Sequence, residues 1–287
     1  MQLFRRSQNP ADTGMTWIMG AMPPHTKAVW MATVCLLIST CDVSAIERYR
    51  IVPGTVKLSI DGDYASGKYG GDSKIEDYAL TLKAKYDTER FGFKVSVPYV
   101  WLRSKEDVVI VDSGIIVPVP GQRDQRTESG LGDVSTAVTY KVPEWSSAAP
   151  LLDITGKVTF GTADEDKGLG PGKKRYSLDA DLSKKFAKFT PFAGAGYKWR
   201  EKPAGSDLKN TAYGWIGLAY ALTDQTELDI AYDHEQAVAT DVDPYRAATL
   251  TFYQEFDRAF EYFVSAFAGF GDSSPDWGTA LGLSVRY

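Results

Sequence analysis

The amino-acid sequence predicts an all-β chain: a transmembrane, up-and-down antiparallel β-barrel of about 12 strands. Three observations predict it. Apolar and polar residues alternate with period two along most of the chain, short and long links take turns between the alternating segments, and aromatic residues gather at both ends of those segments.

The alternation begins at "TVKLSIDGDY", where Val56, Leu58, Ile60 and Tyr64 oppose Lys57, Ser59, Asp61 and Asp63. "DYALTLKAKY" repeats it, with Tyr78, Leu80, Leu82, Ala84 and Tyr86 against Thr81, Lys83 and Lys85. In "FGFKVSVPYVW" the apolar set is Phe91, Phe93, Val95, Val97, Tyr99 and Trp101. Successive side chains of a strand point to opposite faces, so this period marks strands with one apolar and one polar face. Twelve such segments follow in order, near 55–65, 76–87, 90–102, 131–142, 151–161, 176–186, 189–200, 211–222, 225–234, 245–256, 259–270 and 277–287. A tilted membrane-crossing strand needs about nine to eleven residues, whereas soluble strands run nearer five or six. These segments match the longer class.

The links after even-numbered segments are short, such as "TER" and "AK", and those after odd-numbered ones are longer and rich in Gly, Asp, Ser and Pro. An even strand count with short turns at one end and long loops at the other describes a bacterial outer-membrane barrel, with both termini on the periplasmic side. Tyr86 and Phe91, Phe186 and Phe189, and Phe256 and Phe260 flank short turns; Tyr64, Trp101, Phe160, Tyr176, Phe270 and Trp277 stand near the long loops. Rings at both headgroup levels form the two girdles of such barrels. The last segment, "WGTALGLSVRY", alternates Leu281, Leu283, Val285 and Tyr287 and stops on an aromatic, like the terminal strand by which the barrel-assembly machinery recognises its clients. Lipid and lipopolysaccharide are the other expected partners.

Residues 1–45 read differently. Lys27 precedes the apolar run Ala28 to Ile38, and "VSA" at Val43, Ser44 and Ala45 supplies small residues for cleavage after Ala45. A signal peptide is expected there, followed by the barrel over residues 46–287. Both cysteines, Cys35 and Cys41, fall in that leader, so neither a disulfide framework nor a thiolate metal site is expected, and no metal or cofactor is assigned. The chain holds 32 basic and 37 acidic residues; removing Arg5, Arg6, Lys27, Asp12 and Asp42 leaves 29 and 35, net −6. No basic block stands out, which argues against nucleic acid as a partner.

The polar face of the strands should line the interior. It carries both signs: Lys83, Lys85, Lys94, Lys157 and Arg286 against Asp179, Asp181, Glu227 and Asp229. These groups either line a hydrated path or pair across a narrow barrel and fill it. Five aromatics also fall on that face by parity: Tyr213, Trp215, Tyr253, Phe263 and Phe267. They read either as a strip that passes an apolar or aromatic solute, or as space-filling beside glycines such as Gly214 and Gly269. The longest loop holds "DVVIVDSGIIVPVPG", Asp107 to Gly121. It reads as a hairpin that extends strands 3 and 4 above the membrane; the alternative folds it over the mouth as an apolar landing surface. An enzyme is not expected. Outer-membrane lipases and proteases use an oriented histidine base, but beyond the leader the chain has His234 alone, and its neighbour Asp233 must face the other way.

"DEDKGLGPGKK", Asp164 to Lys174, looks at first like a phosphate-binding loop. Its glycine spacing is wrong, Lys174 stands where a hydroxyl is needed, and a strand rather than a helix follows. It reads as a surface loop between strands. The segment from Gly130 to Tyr197 nevertheless carries a family pattern. Gly130–Asp133 at a strand start, Lys157–Thr162 at a strand end, the glycine-rich Gly168–Lys173 and Gly196–Tyr197 together resemble the outer-membrane barrels of the MetA-pathway-of-phenol-degradation family. The match is close over residues 129–200, although "VTFGTA" lacks the family's proline. The resemblance implies a transport-type barrel in a Gram-negative outer membrane, linked to aromatic-compound metabolism, and supplies no catalytic residue. The expected function is passive passage of small molecules, aromatic or hydrophobic ones among them; the alternative is a closed structural or surface-binding barrel that acts through its loops.

Overall fold

The computed structural model describes residues 54–112, 115–146, 148–203, 206–240, 242–256 and 259–287; the predicted leader lies outside them. Thirteen strands follow in order: β1 (Thr55–Gly67), β2 (Ile75–Asp87), β3 (Phe91–Asp112), β4 (Ile115–Leu131), β5 (Ser135–Lys141), β6 (Leu151–Thr159), β7 (Arg175–Ser183), β8 (Phe189–Arg200), β9 (Thr211–Ala221), β10 (Thr226–Glu235), β11 (Tyr245–Glu255), β12 (Phe260–Gly269) and β13 (Trp277–Arg286). All pair antiparallel with neighbours, and β1 closes the ring on β13 from Lys57↔Arg286 to Ser66↔Trp277. Closure leaves no unpaired edge in the spanning wall, the condition for a sheet to stay in hydrocarbon; β4 pairs with β3 alone. The termini add two bonds at the short-turn end, Val56 N–H to Tyr287 O at 3.1 Å and Tyr287 N–H to Val56 O at 2.8 Å.

The wall has twelve places although thirteen strands are present. β5 pairs with the inner part of β3, Phe91–Ser96, and β4 with the outer part, Tyr99–Asp112, so the two share one place in the ring. They are separated at Gly132–Val134, where Gly132 N–H turns to Pro98 O at 2.9 Å. β3 itself is 22 residues long and runs ten beyond its expected end at 102.

Burial follows the predicted parity, with apolar side chains outward. Leu82, Ile216 and Ile230 are 56%, 61% and 57% exposed, while Asp61, Thr211, Thr251 and Ser265 are buried on the inner face. Such an inversion makes sense only where the outer solvent is lipid. No helix among the described residues is long and apolar enough to cross a membrane; the strands do the crossing. At the short-turn end Phe256 packs on Phe260 and Tyr262, and Phe189 on Tyr220. At the long-loop end Tyr64 packs on Tyr78 and Trp277, Tyr99 on Trp101, and Tyr197 on Trp199. Each such pair adds about 0.5–1.5 kcal/mol beyond its buried area.

The hairpin of β3 and β4 departs from the expectation that it extends above the membrane. It folds into the barrel mouth and is covered on both sides. One face, with Val108, Ile110 and Ile116, packs with Tyr69, Ile75, Ala79, Val100, Leu102, Ala163 and Leu169. The other, with Val109, Val111, Ile115 and Val117, packs with Leu208, Val238, Ala239, Val242 and Tyr245. This explains why "VVIV" and "IIVPV" do not alternate: a ribbon buried on both faces is apolar on both. The mouth-covering alternative is the one observed, but the apolar surface is spent on the surrounding loops rather than presented to solvent. The Asp164–Lys174 loop is likewise only partly superficial. Gly168 to Pro171 are buried, and Gly168 O accepts Ile110 N–H at 2.9 Å. Gly168 must be glycine twice over: its φ is +72°, and a Cβ would stand 2.0 Å from Val108 O.

Candidate functional site: the lumen and its mouth

The inner face of β9 sets the chemistry of the lumen. Tyr213 and Trp215 are 7% and 5% exposed and lie flat on the wall, with ring centroids 5.8 Å apart. They lie flat because the cross-strand partners on β8 are glycines, Gly196 opposite Tyr213 and Gly194 opposite Trp215. A Cβ at Gly194 would come within 2.1 Å of the indole. The next residues across, on β7, are Asp179 and Asp181. Each ring therefore bridges a glycine to reach a carboxylate: Tyr213 Oη donates to Asp179 Oδ1 at 2.5 Å, and Trp215 donates to Asp181.

The same device recurs around the barrel. Phe192 covers Gly217, Phe263 covers Gly282 and Phe267 covers Gly278, each directly opposite its glycine in register. Tyr253 adjoins Phe263 with centroids 5.7 Å apart. All five predicted aromatics thus face inward, and Phe192 joins them. The space-filling expectation named the wrong glycines: Gly214 alternates to the outer face of β9, and the inserted atom at Gly269 would meet Ser274 and Pro275, not a ring. Rings laid flat over glycines line the inner wall.

The predicted charged residues also share the inner face. Lys83 pairs with Asp61 at 2.6 Å, and Lys94 lies within electrostatic reach of Asp181. Lys157 lines the cavity beneath the hairpin, and Glu227 and Asp229 stand on the inner side of β10, with Glu227 opposite Tyr253. Nearer the short turns, Arg286 joins Glu261 at 2.7 Å and Glu255 at 3.5 Å, Lys57 joins Glu261, and Lys85 and Lys141 converge on Asp87 at 2.8 and 2.6 Å. Cross-strand pairing thus consumes much of the lumen's charge.

Sequence reasoning missed the network that ties the hairpin to the far wall. Asp112, at its tip, reaches Lys198 Nζ at 2.7 Å and Arg200 Nη2 at 3.8 Å on β8. Glu235 on β10 completes it, 2.6 Å from both Lys198 Nζ and Arg200 Nη2, and accepts Thr211 Oγ1–H at 2.6 Å. Two cations and two carboxylates are thereby neutralised in a site where Arg200 is 1% exposed. Lys198 also sits 4.7 Å from the Tyr213 ring. On the near side Asp133 accepts Ala163 N–H at 3.0 Å and Arg175 Nη1–H at 2.8 Å, fastening the Asp164–Lys174 loop beneath the hairpin. Under the hairpin remains a cavity of about 170 Å³, lined by Asp77, Ile110, Ile115, Trp215, Asp233 and Phe267 among others. His234 alternates with Asp233 and shares the outer face with Ile230 and Tyr232, so the two do not converge.

A solved structure from Pseudomonas putida F1, the COG4313 outer membrane channel, has this fold: TM-score 0.62 at 15% identity, covering 83% of this chain and 96% of that one. The KdgM porin in complex with disordered oligogalacturonate gives 0.47 at 7% identity over 81% and 98% of the two chains, and the CymD monoaromatic hydrocarbon channel 0.39 at 9% over 83% and 88%. Both are too distant to bear on function. No curated protein matches the chain. A closed barrel with a lipid-facing belt belongs in a Gram-negative outer membrane. The family described as "Putative MetA-pathway of phenol degradation" matches residues 61–287, from β1 to the C-terminus, and the chain belongs to that family.

Proposed function

We propose that the barrel passes small molecules, aromatic and hydrophobic ones among them, passively across the outer membrane. The observation that carries this reading is the row of inward rings held flat over glycines, which puts apolar, polarisable side chains along the inner wall. The family's description, phenol degradation, points to the same solutes. The substrate path comprises Tyr213, Trp215, Tyr253, Phe263 and Phe267, with Phe192, beside Lys83, Lys94, Lys157, Asp179, Asp181, Glu227 and Asp229. The reading is non-enzymatic, since His234 has no carboxylate or nucleophile on its own face of β10. Lipopolysaccharide around the outer girdle and the barrel-assembly machinery at the strand ending in Tyr287 are the partners that go with it.

One observation favours a second reading, a closed barrel acting through its loops: the hairpin occupies the mouth. Planar-bilayer conductance of the refolded barrel, with and without phenol, separates the two. Passage predicts discrete conductance that phenol partly blocks. Silent bilayers, together with normal phenol uptake in a strain lacking the gene, would reject it.

A further inference from the structure

The cavity beneath the hairpin is lined by rings, aliphatic side chains and many ionic groups, and the ionic groups are unequally satisfied. Four cations line it, and all are engaged by the protein: Lys83 by Asp61 at 2.6 Å, Arg175 by Asp133 at 2.8 Å, Lys198 by Asp112 and Glu235 at 2.7 and 2.6 Å, and Lys157 within electrostatic reach of Asp112. Two carboxylates on separate walls are not so held. Asp77 on β2 has a buried Oδ1 that accepts no hydrogen bond from the described residues, and Asp233 on β10 lies within electrostatic reach of Lys198 without a salt bridge to it. Trp215, Phe267, Ile110 and Ile115 line the same cavity. A buried carboxylate oxygen without a donor is costly, and a bound proton, water or a solute relieves that cost. A solute that is itself a carboxylate would meet acceptors and repulsion instead.

We propose that this chamber is a binding station for small flat aromatic solutes that carry a hydrogen-bond donor, a phenolic hydroxyl or an aromatic amine, with Asp77 and Asp233 as the acceptors. The inference rests on the passage reading for its solutes, but it assigns the residues that select among them: rings and aliphatic walls accept the flat body, and the two carboxylates discriminate for O–H or N–H against methyl ethers, hydrocarbons and acids.

The test is calorimetric titration of the refolded full barrel in detergent with phenol, aniline, anisole, toluene and benzoate. Phenol and aniline should bind roughly tenfold more tightly than anisole and toluene, the discrimination of about one hydrogen bond, and benzoate should bind least. The double variant Asp77→Leu, Asp233→Leu should lose that preference while retaining toluene. Replacing unpaired buried carboxylates by leucine is compatible with folding, and heat-modifiable gel mobility verifies it. Equal binding of phenol and anisole, benzoate tighter than phenol, or a preference that survives in the double variant would each overturn the assignment. Donor-selective binding in a barrel that is silent in bilayers would keep this site and reject passage. Conductance without donor preference would do the reverse.

Discussion

Asp112 holds the hairpin to the far wall, and its substitution is the sharpest probe of whether the mouth opens. Asp112→Asn keeps the shape of the side chain and removes its charge, leaving Lys198 and Arg200 to share Glu235. A hydrogen bond to a charged partner contributes a net of about 1.5–3 kcal/mol. With a factor of ten per ~1.4 kcal/mol, the open-to-closed ratio of the hairpin should rise roughly 10- to 150-fold. The parent does not open freely even so, because burial of Val111 and Ile115 adds about 1.5–3 kcal/mol each to the docked state. Single-channel recording should therefore show a mostly closed parent with rare large openings, and the same large openings far more often in Asp112→Asn. Ile115→Ala, which weakens the apolar contact and leaves the ion pairs, should act in the same direction. Salt supplies an internal control. Buried pairs are screened little, so raising KCl should leave the parent's gating nearly unchanged. Opening statistics indistinguishable among the parent and both variants would refute the latch.

Three further expectations follow from the wall and its turns. Gly194→Val forces the Trp215 indole, 2.1 Å from the new Cβ, off the wall and into the lumen; open-channel conductance should fall, with a stability loss of about 1–3 kcal/mol in urea unfolding. Asp133→Ala strands the buried Arg175 guanidinium and frees Ala163 N–H, so the barrel should lose about 3–5 kcal/mol, visible as a lower temperature of heat-modified gel migration. Ala187, in the β7–β8 turn, holds φ at +52°, a region that costs a non-glycine residue about 1–2 kcal/mol. Ala187→Gly relieves that strain against glycine's greater entropy loss of ~0.5–1 kcal/mol, and a small net stabilisation in the same assays is the expected result.

The wall of the barrel was legible because lipid leaves a rule with no exceptions for a spanning strand. Outward positions must be apolar, and "TLKAKY" or "LDIAYD" can satisfy that in one register only. The five inward aromatics are legible by the same parity, as apolar residues on the otherwise polar inner face at Tyr213, Trp215, Tyr253, Phe263 and Phe267. What parity could not give was how they fill space. That depends on which residue stands across the ladder, and Gly194 and Gly196 become meaningful only once β8 is placed in register against β9.

The hairpin was recognisable as a hairpin and misplaced, and the reason is physical. A run such as "VVIV" carries no period, so it reports burial without saying what does the burying. An apolar ribbon of this composition extended above the membrane would expose both faces to water, and that cost argues for the folded-in position even before any contact is known. Asp112 then stands out as a charge at the end of a ribbon that must be buried on both sides. A lone carboxylate there requires a cation from outside the hairpin. Lys198 and Arg200, the last two inward positions of β8, are the cations that reach it. The family markers fall into place by the same logic: Gly130–Asp133 and Gly168–Lys173 lie far apart in the chain and meet under the hairpin, where Asp133 contacts the Ala163 amide and Gly168 touches the hairpin backbone. Both help to seat the hairpin in the mouth, and the loop resembling a nucleotide motif carries glycines where backbone meets backbone rather than phosphate.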